Sequence, residues 1–234
     1  MSKGKHLFPL SKVSRVDSGK IIEDSFEYAK EGLIGKWKKW ILLIFSCIVF
    51  PLYLGYIIRI YRGANPSPKL DNWGNMFIDG IRLFIVGLIY SLPVLILSFV
   101  LFESADMIRS SVNPATTGGL IIAILMGAII LVMVTISVLL IVMTAGVRFA
   151  RTDSIGEAFN FGAILAHIGR IGWMTYIIVL LMLFITLINI IIICLIINMV
   201  IPCTGIILFL ILLPFLSLFS PRYITRIYES AEAA

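Results

Sequence analysis

Residues 40–62 read WILLIFSCIVFPLYLGYIIRIYR. The run Trp40–Ile58 is uncharged over 19 residues, close to the length a helix needs to cross a 30 Å hydrocarbon core. Yet Pro51 sits near its middle and Gly55 follows. Proline removes a backbone donor and clashes with the preceding turn, so a break is expected there. Two readings are open. One is an ordinary span kinked at Pro51. The other is a re-entrant hairpin whose arms, about 9 residues each, reach about halfway into the core. The choice sets the number of spans and the side on which every later loop lies.

The flanking sequence favours the hairpin. Further uncharged runs are Leu83–Phe102, Ser110–Val147 and Ile171–Pro221, of 20, 38 and 51 residues. Ser110–Gly119 is polar and reads as a loop feeding a long helix over about residues 118–150. The last run holds two spans, joined at the turn residues Asn198–Gly205. Five alternating spans would split the 19 Lys and Arg into ten and nine, with no bias. With a hairpin, 18 lie on one side and Arg109 alone on the other, as the positive-inside rule demands. The expected fold is therefore all-α: four full transmembrane helices plus one re-entrant hairpin (or five spans), with interfacial amphipathic helices. Both termini are expected in the cytoplasm and the protein in the cell membrane.

Composition agrees. The 234-residue chain is 60% hydrophobic and 14% charged, with mean hydropathy +1.05. A soluble domain carries about a quarter charged residues, so soluble, disordered and disulfide-scaffold classes are excluded. The formal charge of +6 follows from the membrane edges and does not point to nucleic acid. Residues 1–17 read as a basic flexible tail and 18–234 as one membrane domain. Within it, 18–62 is an interfacial helix and apolar hairpin or span, and 71–102 an interfacial helix and span. A long span covers 118–150, an interfacial helix 153–170, and two spans with an exit helix 172–228. The polar stretch before Trp40 is too long for the basic start of a cleavable signal. Cys47, Cys194 and Cys203 are odd in number and lack CxxC spacing, so they read as small buried hydrophobes.

A repeat is visible. Phe26 placed on Phe159 also brings Trp40 onto Trp173, and Asp71 on Asp153 brings Gly74, Phe77 and Gly80 onto Gly156, Phe159 and Gly162. Tyr56-Ile57-Ile58-Arg59-Ile60-Tyr61 matches Tyr223-Ile224-Thr225-Arg226-Ile227-Tyr228 at five of six positions. If the copies are equivalent, entry and exit share one face in both. In the first interfacial helix, Ile22, Phe26, Ala29, Leu33 and Trp37 form one stripe opposite Lys20, Glu23, Asp24, Glu27, Glu31 and Lys38. A soluble partner-binding helix is the alternative for this segment. Asp17 or Ser18 is expected to cap it, Asp71 the second, and Ser154-Ile155-Gly156-Glu157 fits a capping box for the third. Trp37, Trp40, Trp73 and Trp173 fall at headgroup depth. Gly119, Ala123 and Gly127 recur at four-residue spacing, which suits close helix packing, internal or between copies.

No catalytic constellation is present. The two histidines, His6 and His167, are isolated, and there is no HExxH, nucleophile elbow or phosphate loop. No cofactor or metal is expected. No charge falls at mid-membrane depth, which weakens a coupled transporter. Ser46, Ser98, Thr135, Ser137, Thr144, Thr186, Asn189 and Asn198 are the polar residues within the runs; they fit interhelical hydrogen bonds or a polar-lined passage. Arg59, Arg62, Arg82, Arg148, Arg170 and Arg226, with Lys36, Lys38 and Lys39, suit anionic headgroups or a partner; a plain positive-inside role also fits, and Asp79 and Arg82 can pair at i, i+3.

Gly55-Tyr56-x-x-Arg59, Pro68, Asp71-Asn72-Trp73, Asp79-Gly80 and Tyr90-x-x-Pro93 together resemble the membrane family known as domain of unknown function 4013, over about residues 20–228. Ser67-Pro68 stands for that family's Leu-Pro, and Arg82 for its usual Lys. The resemblance implies a polytopic prokaryotic membrane fold and no activity. A more distant likeness is to the membrane domain of glycerophosphodiester phosphodiesterases, whose catalytic domain has no counterpart here. The expected function is a non-enzymatic membrane protein binding lipid headgroups or a partner membrane protein, with a homo-oligomer possible. The alternative is a passive channel or transporter for a small solute. An interfacial phospholipid enzyme using Asp71 or Asp79 is the third reading, without a nucleophile–base pair behind it.

Overall fold

The structure, a computed structural model, describes residues 18–110 and 114–232. The tail 1–17, with the expected Asp17 cap and His6, lies outside the described residues. The described residues form α1 (Ser18–Leu33), α2 (Trp37–Ile48), α3 (Phe50–Tyr61), α4 (Trp73–Ser110), α5 (Pro114–Thr152), α6 (Ile155–Ala158), α7 (Phe161–Ile171), α8 (Trp173–Val200) and α9 (Thr204–Ser230). Four of these, α4, α5, α8 and α9, are long and apolar enough to cross a membrane.

The decisive segment breaks at Val49 (φ −92°, ψ 79°), two residues before Pro51, which occupies the first turn of α3 where a missing N–H costs nothing. Two 12-residue helices result, each about 18 Å long. Their outer ends adjoin. Lys39, in the first turn of α2, donates to Ser67 Oγ (2.6 Å) in the segment after α3, and its Nζ lies 5.9 Å from the Tyr56 ring.

Buried side chains concentrate at one end of the bundle. Tyr56, Ile58 and Ile60 of α3, Ala145–Ala150 of α5, Ile164 and Ile168 of α7, Tyr176–Leu183 of α8 and Pro214–Tyr228 of α9 meet there. From that base α4 pairs with α5 and α8 with α9. The apolar stretches of all four are largely exposed: none of the most apolar window of α5 is buried, and a third of that of α9. Such a surface is stable only against lipid or another apolar partner.

The α3–α4 crossing is the closest contact in this base. A Cβ on Gly55 would lie 1.7 Å from the Met76 carbonyl oxygen, and one on Gly80 1.7 Å from that of Pro51. Tyrosines bolt the elements together through backbone carbonyls: Tyr28 to Ala64 (3.0 Å), Tyr56 to Pro68 (3.3 Å), Tyr90 to Ala158 (2.6 Å) and Tyr223 to Val179 (2.9 Å).

Several local expectations need correction. Residues 71–82 do not form a separate interfacial helix; α4 runs unbroken from Trp73, because no breaker separates Trp73 from Leu83, and Pro93 is accommodated inside it. Asp71 caps nothing, since its carboxylate accepts from Arg59. The third amphipathic stretch divides into α6 and α7. Ser154 makes no capping bond and Glu157 is drawn to Arg148, so the expected box does not form; Asn160 caps α7 instead, accepting from the Ala163 amide (3.2 Å). In α1 the protein-facing side is Ile21, Ser25, Tyr28, Ala29, Gly32 and Leu33, while Ile22 and Phe26 of the expected stripe point outward. Helix α5 starts at Pro114, earlier than expected. Of the small-residue series only Gly127 is in contact, against Leu101 of α4; Gly119 and Ala123 are exposed.

Candidate functional site

The base of the bundle collects almost all the described charge, and its arginines are placed by long-range pairing. Arg59, in the last turn of α3, donates to Asp71 Oδ1 (2.8 Å), to the Lys69 carbonyl (2.8 Å) and to the Asp71 carbonyl (2.7 Å). It thereby ties the 63–72 segment to its own helix, and the forked guanidinium suits that task. Arg62 bridges Asp79 (2.9 Å) and Asp153 (3.1 Å) and donates to the Ala150 carbonyl (3.2 Å). Arg82 lies 3.7 Å from Asp79 and 3.8 Å from Asp153. This closed set of two arginines and two aspartates joins α3, α4 and the end of α5.

A second set locks α1 onto α9. Asp24 accepts from Arg222 (2.9 Å) and Arg226 (2.7 Å), and Arg222, only 3% exposed, stacks over Tyr28 at 4.6 Å. Arg226 holds the Asp24 carboxyl below its usual range, with Arg222 adding to the effect against the opposing cost of burial. Arg226 also reaches Glu229 (3.1 Å), which accepts from Arg151 of α5 (2.5 Å). Arg148 pairs with Glu157, keeping that carboxyl low. Of the six arginines expected to face headgroups or a partner, the structure commits Arg59, Arg62, Arg82, Arg148 and Arg226 to carboxylates. Among the described residues Arg170 pairs with no carboxylate; its Nη2 lies 3.1 Å from His167 Nδ1.

His167 is buried, stacked on Tyr228 at 3.8 Å, with Nε2 2.9 Å from the Tyr228 carbonyl. An arginine can only donate, so Nδ1 is the acceptor and the ring is neutral with its proton on Nε2. Burial foremost lowers its pKa from the ordinary value, the Tyr228 carbonyl raises it, and Arg170 lowers it.

Lysines behave differently. Lys36, Lys38 and Lys39 crowd the start of α2; Lys36 donates to the Glu31 carbonyl (2.9 Å) and Lys39 to Ser67. Among the described residues no carboxylate pairs with any of the three.

Most of the polar residues inside the apolar helices are satisfied locally, whereas the buried Asn198 Oδ1 has no hydrogen-bond partner among the described residues. Ser98, Thr135, Ser137, Thr186 and Asn189 each donate to the carbonyl four residues back in their own helix, and Ser46 to Leu43. Thr144 meets the Tyr176 hydroxyl (2.9 Å), joining α5 to α8. Among the described residues no group of His, Cys, Asp and Glu could hold a metal.

Sequence reasoning missed Tyr28, Arg151, Arg222 and the role of Asp24. No local signal marks them, because Asp24 and Arg222 lie 198 positions apart. The glycines and tyrosines of the motif, Gly55, Tyr56, Gly80 and Tyr90, together with Trp73 and Pro93, shape the α3–α4 region and its attachment to α6. Asp79 of the same motif closes the Arg62–Arg82 set.

This architecture defines an all-α polytopic membrane protein whose arginines brace its base. The chain belongs to the family described as Protein of unknown function (DUF4013), which matches residues 40–201. No curated protein and no solved structure matches it. Nothing in these comparisons supports the more distant likeness to the membrane domain of glycerophosphodiester phosphodiesterases.

Proposed function

We propose that the protein is a non-enzymatic membrane module that binds lipid headgroups, or a partner membrane protein, through helices lying at the cytoplasmic interface of the cell membrane. The three-sided character of α1 carries this reading. One side, Ile21 to Leu33, packs on α9; a second exposes Ile22 (41%) and Phe26 (50%); a third carries Glu23, Glu27 and Lys30. A helix with adjoining apolar and charged outer sides suits the plane where lipid meets water. Helix α7 likewise turns apolar side chains outward, Phe161 and Leu165, with Trp173 exposed at the start of α8.

Helices α2 and α3 then form a re-entrant hairpin. Their 18 Å arms are too short to span, and both outer ends sit beside Ser67, on the side that holds the basic residues. The self-satisfied hydroxyls and Asn189 favour a binding module over a passive channel. Asp71 and Asp79, both spoken for by arginines, favour it over an enzyme.

Sidedness tests the reading. With Cys47 and Cys194 changed to serine, native Cys203, exposed between α8 and α9, is expected to react in intact cells with an impermeant thiol reagent. Ser67→Cys in a cysteine-free background is expected to stay unlabelled. The reverse pattern, or labelling of both, removes the topology on which the cytoplasmic interface rests. Proteoliposome flux abolished by Thr144→Val or Asn189→Leu would instead establish the channel.

A further inference from the structure

Among the described residues, Lys36, Lys38 and Lys39 stand apart from the other basic clusters. Seven arginines (Arg59, Arg62, Arg82, Arg148, Arg151, Arg222 and Arg226) share seven carboxylates, whereas these three ammonium groups have none among the described residues. Two are exposed and one is half-buried. They also occupy the start of a helix whose first turn contains no acidic residue. Free N–H groups and the helix dipole already make that end positive, so three cations there repel the backbone and one another. Burial pushes the Lys39 ammonium down to about 8, with Lys36 adding to the shift. The arrangement is held at a cost that an anion would relieve.

What lies beside the lysines specifies the anion's chemistry. Trp37 (76% exposed), Ile41 (68%), Phe45 (50%) and Ile48 (76%) form one outward stripe running from the lysines towards the Val49 break. It is about 17 Å long, on the scale of an acyl chain. The matching corner between α7 and α8 has the exposed tryptophan, Trp173, but only Arg170 as a cation, and Arg170 is engaged with His167.

We infer that the start of α2 is a binding site for an anionic phospholipid, with the exposed Lys36 and Lys38 at the phosphate, Lys39 adding positive charge from behind them, and the Trp37–Ile48 stripe along an acyl chain. This rests on the interfacial reading above and assigns it a place and a ligand class. Phosphate oxygens accept from ammonium donors as point charges, a contact lysine makes without fixed geometry. Tryptophan holds the headgroup depth.

The test uses the full-length, delipidated protein in detergent, titrated with phosphatidylglycerol and separately with phosphatidylcholine, bound lipid being counted by native mass spectrometry. The wild type is expected to prefer phosphatidylglycerol, and K36Q/K38Q to lose roughly tenfold or more of that affinity, given the pull of each cation near a charged headgroup. Phosphatidylcholine binding should not move. K36R/K38R should restore the preference, and R170Q should leave it intact. Lys36 and Lys38 are exposed, and an unchanged thermal melt shows that the variants fold. If K36Q/K38Q keeps wild-type preference, the site is elsewhere and this inference fails, while lipid binding as such survives. A wild type that binds neither lipid overturns both. Displacement of the lipid by millimolar inorganic phosphate would mean a soluble-anion site and overturn the lipid assignment.

Discussion

Gly55 and Gly80 face each other across the α3–α4 crossing, the Cβ position of Gly80 falling 2.9 Å from the Gly55 amide nitrogen. Neither residue has a positive φ among the described backbone, so both are required by space and not by conformation. Gly55→Ala or Gly80→Ala must push apart two backbones. Overpacking ordinarily costs about 1–3 kcal/mol, and backbone is less able to yield than a side chain. Each variant is expected at or above the top of that range, read as a lowered melting temperature in detergent. Gly74→Ala, with nothing within 4 Å of its Cβ position, is the control and should leave the melt unchanged.

Asp24 is the joint between α1 and α9. Asp24→Asn leaves Arg222 buried and short of its counter-charge. Breaking a buried pair costs about 3–5 kcal/mol, and the partial exposure of Asp24 brings the expectation to about 2–3 kcal/mol. Because the folded carboxyl is held low, its contribution is intact above the unfolded value of 3.8 and is lost as pH falls through the lower folded value. Denaturation by graded detergent replacement would measure the first effect; an acid titration of the melt, flattened in the variant, the second.

Arg59→Lys keeps the charge but cannot reach Asp71 and two carbonyls together. A loss of about 1–2 kcal/mol is expected, from the bonds forgone. It should be localised: amide exchange ought to quicken in residues 63–72 and leave α8 and α9 as they were.

His167 gives the fold a pH dependence of defined sign. Around the ring stand Arg170, Arg148, Glu232 and the Tyr228 carbonyl. Protonation would set an N–H at Nδ1 against the Arg170 guanidinium. Between the lowered folded pKa and 6.5 the unfolded chain binds more protons, so stability is full above 6.5 and falls as pH drops from there through the folded value. The melting temperature is expected to decline over that window in the wild type and to stay level in His167→Gln. The Asp24 and Glu157 carboxyls are lowered from 3.8 and 4.5, so the onset of the decline at 6.5 belongs to His167.

The class of protein, its four long apolar helices and the break beside Pro51 were legible from the chain alone. Each is a local property: hydropathy over some 20 residues decides whether a helix can sit in lipid, and Pro51 falls in the first turn of α3, where a helix accepts a residue without an N–H, whereas Pro93, Pro214 and Pro221 are carried inside longer helices. Tertiary structure decided the rest. The motif Gly-Tyr-x-x-Arg became a helix crossing only when Gly80 was brought opposite Gly55. The arginines that suited headgroups were paired once folding supplied Asp24, Asp71, Asp79, Asp153, Glu157 and Glu229, partners whose positions no spacing rule foretells. The outward turn of Ile22 and Phe26 was set by which side of α1 docks on α9. Pairing free energy depends on distance in space, and the sequence specifies distance only along the chain.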